Sequence, residues 1–213
     1  MQVIIKNAVA VGTTPQMWEQ ILRTPNSAVA ALVIYLVLVK SARLPNQITV
    51  SAKADPHNQR RFYGWLSLAC LVLILDQSTK LWAQTSLQFA VPVPVTGFLN
   101  WFLIYNPGAA FSFLANSGGW QRWFFTILGT AAAIFMIWYL RRHQNDTLLP
   151  LSISFILGGA VGNVIDRLVY GAVVDFIDLH YAQWHWPAFN LADSAIVFGA
   201  ALIIWGEIRR KPA

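Results

Sequence analysis

Apolar residues along this chain do not alternate with polar ones at the spacing of a surface helix. They gather in long blocks separated by short polar or basic stretches. Four blocks, at about residues 62–84, 120–140, 148–169 and 189–206, are long enough to cross a bilayer; a span needs roughly 20 apolar residues at about 1.5 Å each. A fifth block, Ala28 to Val39, is too short: it reaches about 18 Å against a hydrocarbon core of about 30 Å. It reads as an interfacial or re-entrant segment, or as a helix lengthened by its flanks. No secretory leader is expected there, because the run starts late and no small-residue cleavage site follows it.

Between the first two spans the pattern changes. Val91 to Asn106 mixes Pro with β-branched and aromatic residues, which predicts short strands at the outer surface rather than helix. Asn106-Pro107-Gly108-Ala109-Ala110-Phe111 then reads as a turn whose small residues let another backbone approach. Asn106 either belongs to a plain turn or offers amide hydrogen bonds to an extended peptide. The prediction is an all-α membrane protein, a four-helix transmembrane bundle with a small β element on one face. Residues 1–60 form an accessory extension with a basic linker, and residues 61–213 form the four-span unit.

Composition agrees. The 213 residues are 56% hydrophobic and 11% charged, with a mean hydropathy of +0.50, where soluble domains carry roughly a quarter charged residues. Ten Trp residues suit aromatic belts at both interfaces. The net charge of +6 does not point to nucleic acid, because the basic residues cluster at the ends of apolar runs. The clusters Arg60–Arg61, Arg141–Arg142 and Arg209–Lys211 all fall on one side, which the positive-inside rule makes cytoplasmic. The lone Cys70 allows no disulfide framework, and is expected to pack inside its helix.

The candidate chemistry lies at the opposite ends of the spans. Asp76, Asp166, Asp175, Asp178 and Asp193 all fall at that level, and ionisable groups at membrane depth read as functional. Asp76 and Lys80 are four apart and share a helix face, suiting an ion pair that closes the outer end of the first span. Gly158 and Gly162 form a small-xxx-small pair for close helix packing. Asp166 and Arg167 are adjacent and cannot face one another, so one pairs locally while the other points to a site. Asp193, three residues after Asn190, fits a capping-box position. Asp178 reads as a solvated loop acid. Asp175 follows an apolar approach that capping does not explain.

Asp175 and Asp193, if brought together across a loop, would share a proton and titrate as a unit. One then acts as base on a water and the other as acid on a departing amine. No Ser-His or Cys-His arrangement competes. His180 and His185 lack helical metal-ligand spacing, and an aromatic loop facing lipid explains them as well. A small ion or proton transporter is the alternative reading of intramembrane acids, but these collect at one face, and no inverted repeat is visible. A non-catalytic scaffold would require loss of one acid of the pair, and both are present.

Five blocks in order, DQSTK at 76–80, NPGAAFSF at 106–113, GGAVGNVIDR at 158–167, VVDF at 173–176 and FNLAD at 189–193, resemble the lipoprotein signal peptidases (signal peptidase II). The resemblance covers about residues 62–208. It implies a four-helix membrane bundle with a small extracytoplasmic β-cradle and an amphipathic helix. It implies a catalytic dyad of Asp175 and Asp193, with Asn106, Gly159, Asn163, Arg167 and Asn190 lining the site. Asp76 and Lys80 match the family's first motif and, with Asp166, are expected to give structural support. The implied substrate is a prolipoprotein carrying diacylglycerol on its lipobox cysteine, cut just before that cysteine. No metal, no cofactor and no nucleic-acid partner is implied. The expected setting is a monomer in lipid, in the bacterial inner membrane, with its site at the outer face and its C-terminus in the cytoplasm.

Overall fold

The computed structural model describes residues 56–108 and 119–209. The chain divides between Asp55 and Pro56, and the fold below is that of the unit beginning at Pro56. The apolar block at 28–39, most of the basic linker, the 109–111 part of the turn, and Arg210 and Lys211 lie outside the described residues. An amphipathic helix of the kind the resemblance implies is not among the described residues.

The four apolar blocks form α1 (Pro56–Ser86), α2 (Trp120–His143), α3 (Leu148–Val169) and α4 (Leu191–Arg209). Each is long and apolar enough to cross a membrane. Their burial is unequal: 61% of the α3 span is buried, against 28% for each of the others. So α3 is the hub, and the others turn large apolar side chains such as Ile74, Ile127, Ile134 and Val197 outward, as a lipid-facing surface requires. Cys70, expected to pack inside the bundle, lies on the exposed surface of α1. Small and polar residues hold the hub. Ser154 Oγ donates to Trp65 O on α1 at 3.0 Å as well as to Pro150 O in its own helix at 2.8 Å; a bond of this kind between helices contributes about 0.6–2 kcal/mol.

The helix α1 is 31 residues long, about 45 Å at helical rise, and so outruns the hydrocarbon core. Its far end seats four strands, of which the sequence pattern predicted only the first two. These are β1 (Val93–Thr96), β2 (Leu99–Asn106), β3 (Val173–Tyr181) and β4 (Trp184–His185), antiparallel in the order β1-β2-β3-β4. Ala83 of α1 packs with Leu103, Val174 and Phe176 of the sheet. Trp82 meets Trp101 edge-on at 5.3 Å and Phe176 at 6.3 Å. The β2–β3 register breaks between Trp101 and Ile104. There Leu103 turns to the segment before β1, its carbonyl accepting from Ala90 N at 2.9 Å. Past the break Ile104 stands opposite Asp175.

Helices α1, α2 and α4 run two or three residues past their expected ends, and two starts differ as well. Helix α1 starts before residue 62, and α4 starts at Leu191 instead of 189. Phe189 stays extended because its backbone is spent on β3: its N–H donates to Ile177 O at 3.0 Å, and its carbonyl accepts from Phe176 N and Ile177 N.

Candidate active site

Asn190 is the last residue before α4 and is fully buried. Its side-chain oxygen accepts from Asp193 N at 2.9 Å, while Asp193 Oδ2 accepts from Asn190 N at 3.3 Å. This is the reciprocal capping box that the spacing allowed. The cap leaves the Asn190 amide nitrogen available, and it donates to Asp175 Oδ1 at 2.7 Å, with Val174 O at 3.1 Å and Asn163 Oδ1 at 3.3 Å. One side chain therefore caps α4 and ties the two aspartates to each other. Asp193 thus completes the cap while its carboxylate stays within the same buried cluster.

Asp175 lies in β3, not in a loop as expected. Its other oxygen accepts from Asn106 Nδ2 at 3.0 Å, and Asn106 Oδ1 accepts from Gly108 N at 3.0 Å. The Asn106 amide, read as part of a plain turn or as a donor to an extended peptide, is turned onto Asp175. Burial, and then the neighbouring Asp193 carboxylate, hold the Asp175 carboxyl well above the usual carboxylate range. Bonds from Asn106 and Asn190 and the Lys80 charge pull the other way without offsetting this.

Asn163 reaches the pair from α3, donating Nδ2 to Asp193 Oδ1 at 2.9 Å. One turn on, Arg167 donates to Asn163 O at 3.1 Å and lies over the Phe125 ring at 5.3 Å. Its guanidinium feels the charges of Asp193, Asp175 and Asp166, and its buried Nε has no partner among the described residues. Of the adjacent acid and arginine, Asp166 turns away to Lys80 and Gln77 of α1, while Arg167 bonds within its own helix and lies near the aspartates. Gly159 is where α4 crosses α3: a Cβ there would run into Ala192 O. It faces the backbone of Ala192, the residue before Asp193.

Beneath the aspartates lies a buried ion cluster. Lys80 Nζ is 2.8 Å from Asp76 Oδ2, 2.7 Å from Asp166 Oδ2 and 3.0 Å from Asn163 Oδ1. The pair expected from the i,i+4 spacing exists, yet it closes nothing outward: all three ions are at most 1% exposed. Gln77, which the sequence did not single out, joins the cluster by donating to Asp166 Oδ1 at 3.0 Å and Asp76 Oδ2 at 3.1 Å. A Cβ at Gly162 would strike Asp76 Oδ2, so that glycine admits the carboxylate.

Asp178 corrects an expectation. It is 4% exposed and lies in β3, not in solvent. Asn100 Nδ2 donates to it at 2.8 Å, and His185 Nδ1 lies 2.9 and 3.0 Å from its two oxygens. Burial pushes this carboxyl up, but the bonds from His185 and Asn100 outweigh it and hold the group below its ordinary value. His185 therefore fastens the β3–β4 hairpin, with its ring stacked on His180 at 5.2 Å. Arg122 of α2 donates to Leu168 O at 2.9 Å beside the turn into β3.

This arrangement has relatives. A family model described as signal peptidase (SPase) II matches residues 68–209. The chain is 64% identical over 147 residues to a lipoprotein signal peptidase of Polynucleobacter necessarius, covering 69% of this chain and 90% of that protein. It is 56% identical over 146 residues to one of Ralstonia nicotianae, covering 68% and 84%. A solved bacterial membrane enzyme matches in structure with a TM-score of 0.62 at 31% identity, over 70% of this chain and 94% of that one. With the five motifs, the sheet, the last three spans and most of the first inside the matched residues, the chain belongs to the signal peptidase II family and is a membrane protease.

Proposed function

We propose that this protein removes the signal peptide from prolipoproteins, cutting just before the diacylglyceryl-modified cysteine, with Asp175 and Asp193 as the catalytic pair. The observation that carries this reading is the double use of Asn190, whose side chain and backbone hold both carboxylates in one buried site. A pair so held keeps one proton between its members. The ionised member takes a proton from water as the water oxygen adds to the scissile carbonyl carbon. The protonated member then gives its proton to the departing amine as the tetrahedral intermediate collapses. Arg167, beside both acids with a buried donor unspent, suits the developing oxyanion or the extended peptide backbone.

Membrane geometry supports the substrate class. The aspartates sit at the end of the bundle that carries the sheet, remote from Arg141, Arg142 and Arg209 at the far ends of α2 and α4. By the positive-inside rule the site faces outward and the C-terminus lies in the cytoplasm. Acyl chains attached to a substrate cysteine then rest in the outer leaflet against α2 and α4, and the peptide reaches the aspartates without leaving the membrane. The test is cleavage of a diacylglyceryl-modified precursor and its unmodified form, with and without chelator. Turnover of the modified form alone, indifferent to chelator, is expected. Asp175→Asn and Asp193→Asn should each lose at least about 10²–10⁴-fold while still inserting, the range general acid–base groups contribute. Full turnover in either variant refutes the pair.

A further inference from the structure

We infer that Asp76, Lys80 and Asp166 are positioning residues: one buried ammonium joins two carboxylates, each gripping the backbone N–H just before one of the catalytic aspartates, so the cluster sets how the pair is spaced. The inference rests on the reading of Asp175 and Asp193 as the catalytic pair. Its observation is independent of that reading.

Asp76 Oδ1 accepts from Ala192 N at 2.8 Å, and Ala192 immediately precedes Asp193. Asp166 Oδ2 accepts from Val174 N at 3.1 Å, and Val174 immediately precedes Asp175. The same Lys80 Nζ binds Asp76 Oδ2 and Asp166 Oδ2. Two backbones from different elements, the start of α4 and β3, are thereby tied to one point on α1. The third ammonium hydrogen goes to Asn163 Oδ1 at 3.0 Å, which turns the Asn163 amide nitrogen toward Asp193 Oδ1. An ammonium has three donors, and each one here leads to the catalytic pair within one or two bonds.

A cluster that served only to stabilise would not need this wiring. Buried ion pairs recover their desolvation cost only with ideal geometry, and well-packed apolar residues often do as well. What charges provide here is direction: short, charge-assisted bonds to chosen amides. Packing is arranged to admit them. Gly162 leaves room for Asp76, and Gly159 leaves room for the Ala192 carbonyl, so α1 and α4 both close on α3 at this level.

The test uses the full chain carrying Asp166→Asn or Asp76→Asn, each isosteric and able to keep its amide bond, with Lys80→Met as the severe variant. kcat, KM and the pH–rate profile are measured on a diacylglyceryl-modified precursor, and folding is followed by thermal melting. Each asparagine variant should fold and lose about 10–100-fold in kcat with KM changed less than about 3-fold, as expected when catalytic groups are displaced but binding is not. The two limbs of its pH profile should also move toward each other, because carboxylates held farther apart interact less. An unshifted profile in folded Asp166→Asn, or a loss confined to KM, overturns the inference. Failure of both asparagine variants to fold overturns it too, by making the cluster a determinant of folding. If Asp175→Asn or Asp193→Asn retains turnover, the catalytic reading fails first. If those are dead and the cluster variants keep the native profile, only the positioning role fails.

Discussion

Asn190 does two separable jobs, and a pair of substitutions should pull them apart. Its side-chain oxygen caps α4 through Asp193 N, and its amide nitrogen donates to Asp175. Loss of a side-chain cap costs about 1 kcal/mol. Loss of a hydrogen bond to a charged group costs about 1.5–3 kcal/mol. Asn190→Ala removes both, so folding stability should fall by about 2.5–4 kcal/mol, the sum of the two. Activity should fall roughly 10–100-fold if the Asp175 bond is needed in the transition state. Serine is a good cap residue but has no amide to reach Asp175. Asn190→Ser should therefore regain about 1 kcal/mol of stability over alanine and regain little activity. The assay pairs thermal melting in detergent with the mobility shift of a lipidated precursor upon cleavage. If serine restores activity in step with stability, Asn190 is a helix cap and nothing more, and the bridging argument is wrong.

Other consequences are nearer to hand. Gly162→Ala places a methyl against Asp76 Oδ2 and should cost about 1–3 kcal/mol by overpacking, seen as a lower melting temperature with reduced turnover; a native melting temperature would show that Asp76 can move aside freely. Asp178 has a depressed folded-state pKa, so its stabilisation is complete above the unfolded carboxylate value and is lost as pH falls through the folded one. Asp178→Asn should flatten the loss of stability below about pH 4, measured as melting temperature against pH, and an unchanged acid slope would count against the assignment. Asp175 is displaced the other way by burial and by Asp193. Activity should fail as pH rises through that raised pKa, and an alkaline limb at ordinary carboxylate values would contradict the shared proton.

How much of this could be read from the chain varies residue by residue. The spans were legible because lipid demands long apolar runs, and no interior contact is needed to see one. The helix α3 matches its expected bounds of 148–169. Strands β1 and β2 were legible because Pro and β-branched residues disfavour helix between two spans, whereas β3 read as a loop. At the site, Asp175, Asp193 and the Asp76–Lys80 pair stood out as charges in apolar surroundings. Local spacing does not say what a side chain meets from another element. So Asp178 read as a solvated acid until β2 and the hairpin buried it. Gln77 read as unremarkable until α3 brought Asp166 to it. Asn106 read as a turn residue or a peptide donor until β2, paired with β3, set it beside Asp175.

By itself the sequence determined the number of spans, the side on which the acids gather and the family motifs, because these depend on composition and on distance along one chain. The tertiary structure alone decided that Asn190 joins the two aspartates and that Lys80 gathers the carboxylates behind them. The bonds between elements that complete this arrangement run from 15 positions apart, Asn190 to Asp175, to 116 apart, Asp76 to Ala192. They exist only because glycines on α3 let α1 and α4 close upon it, which is a property of packed helices and not of any one segment.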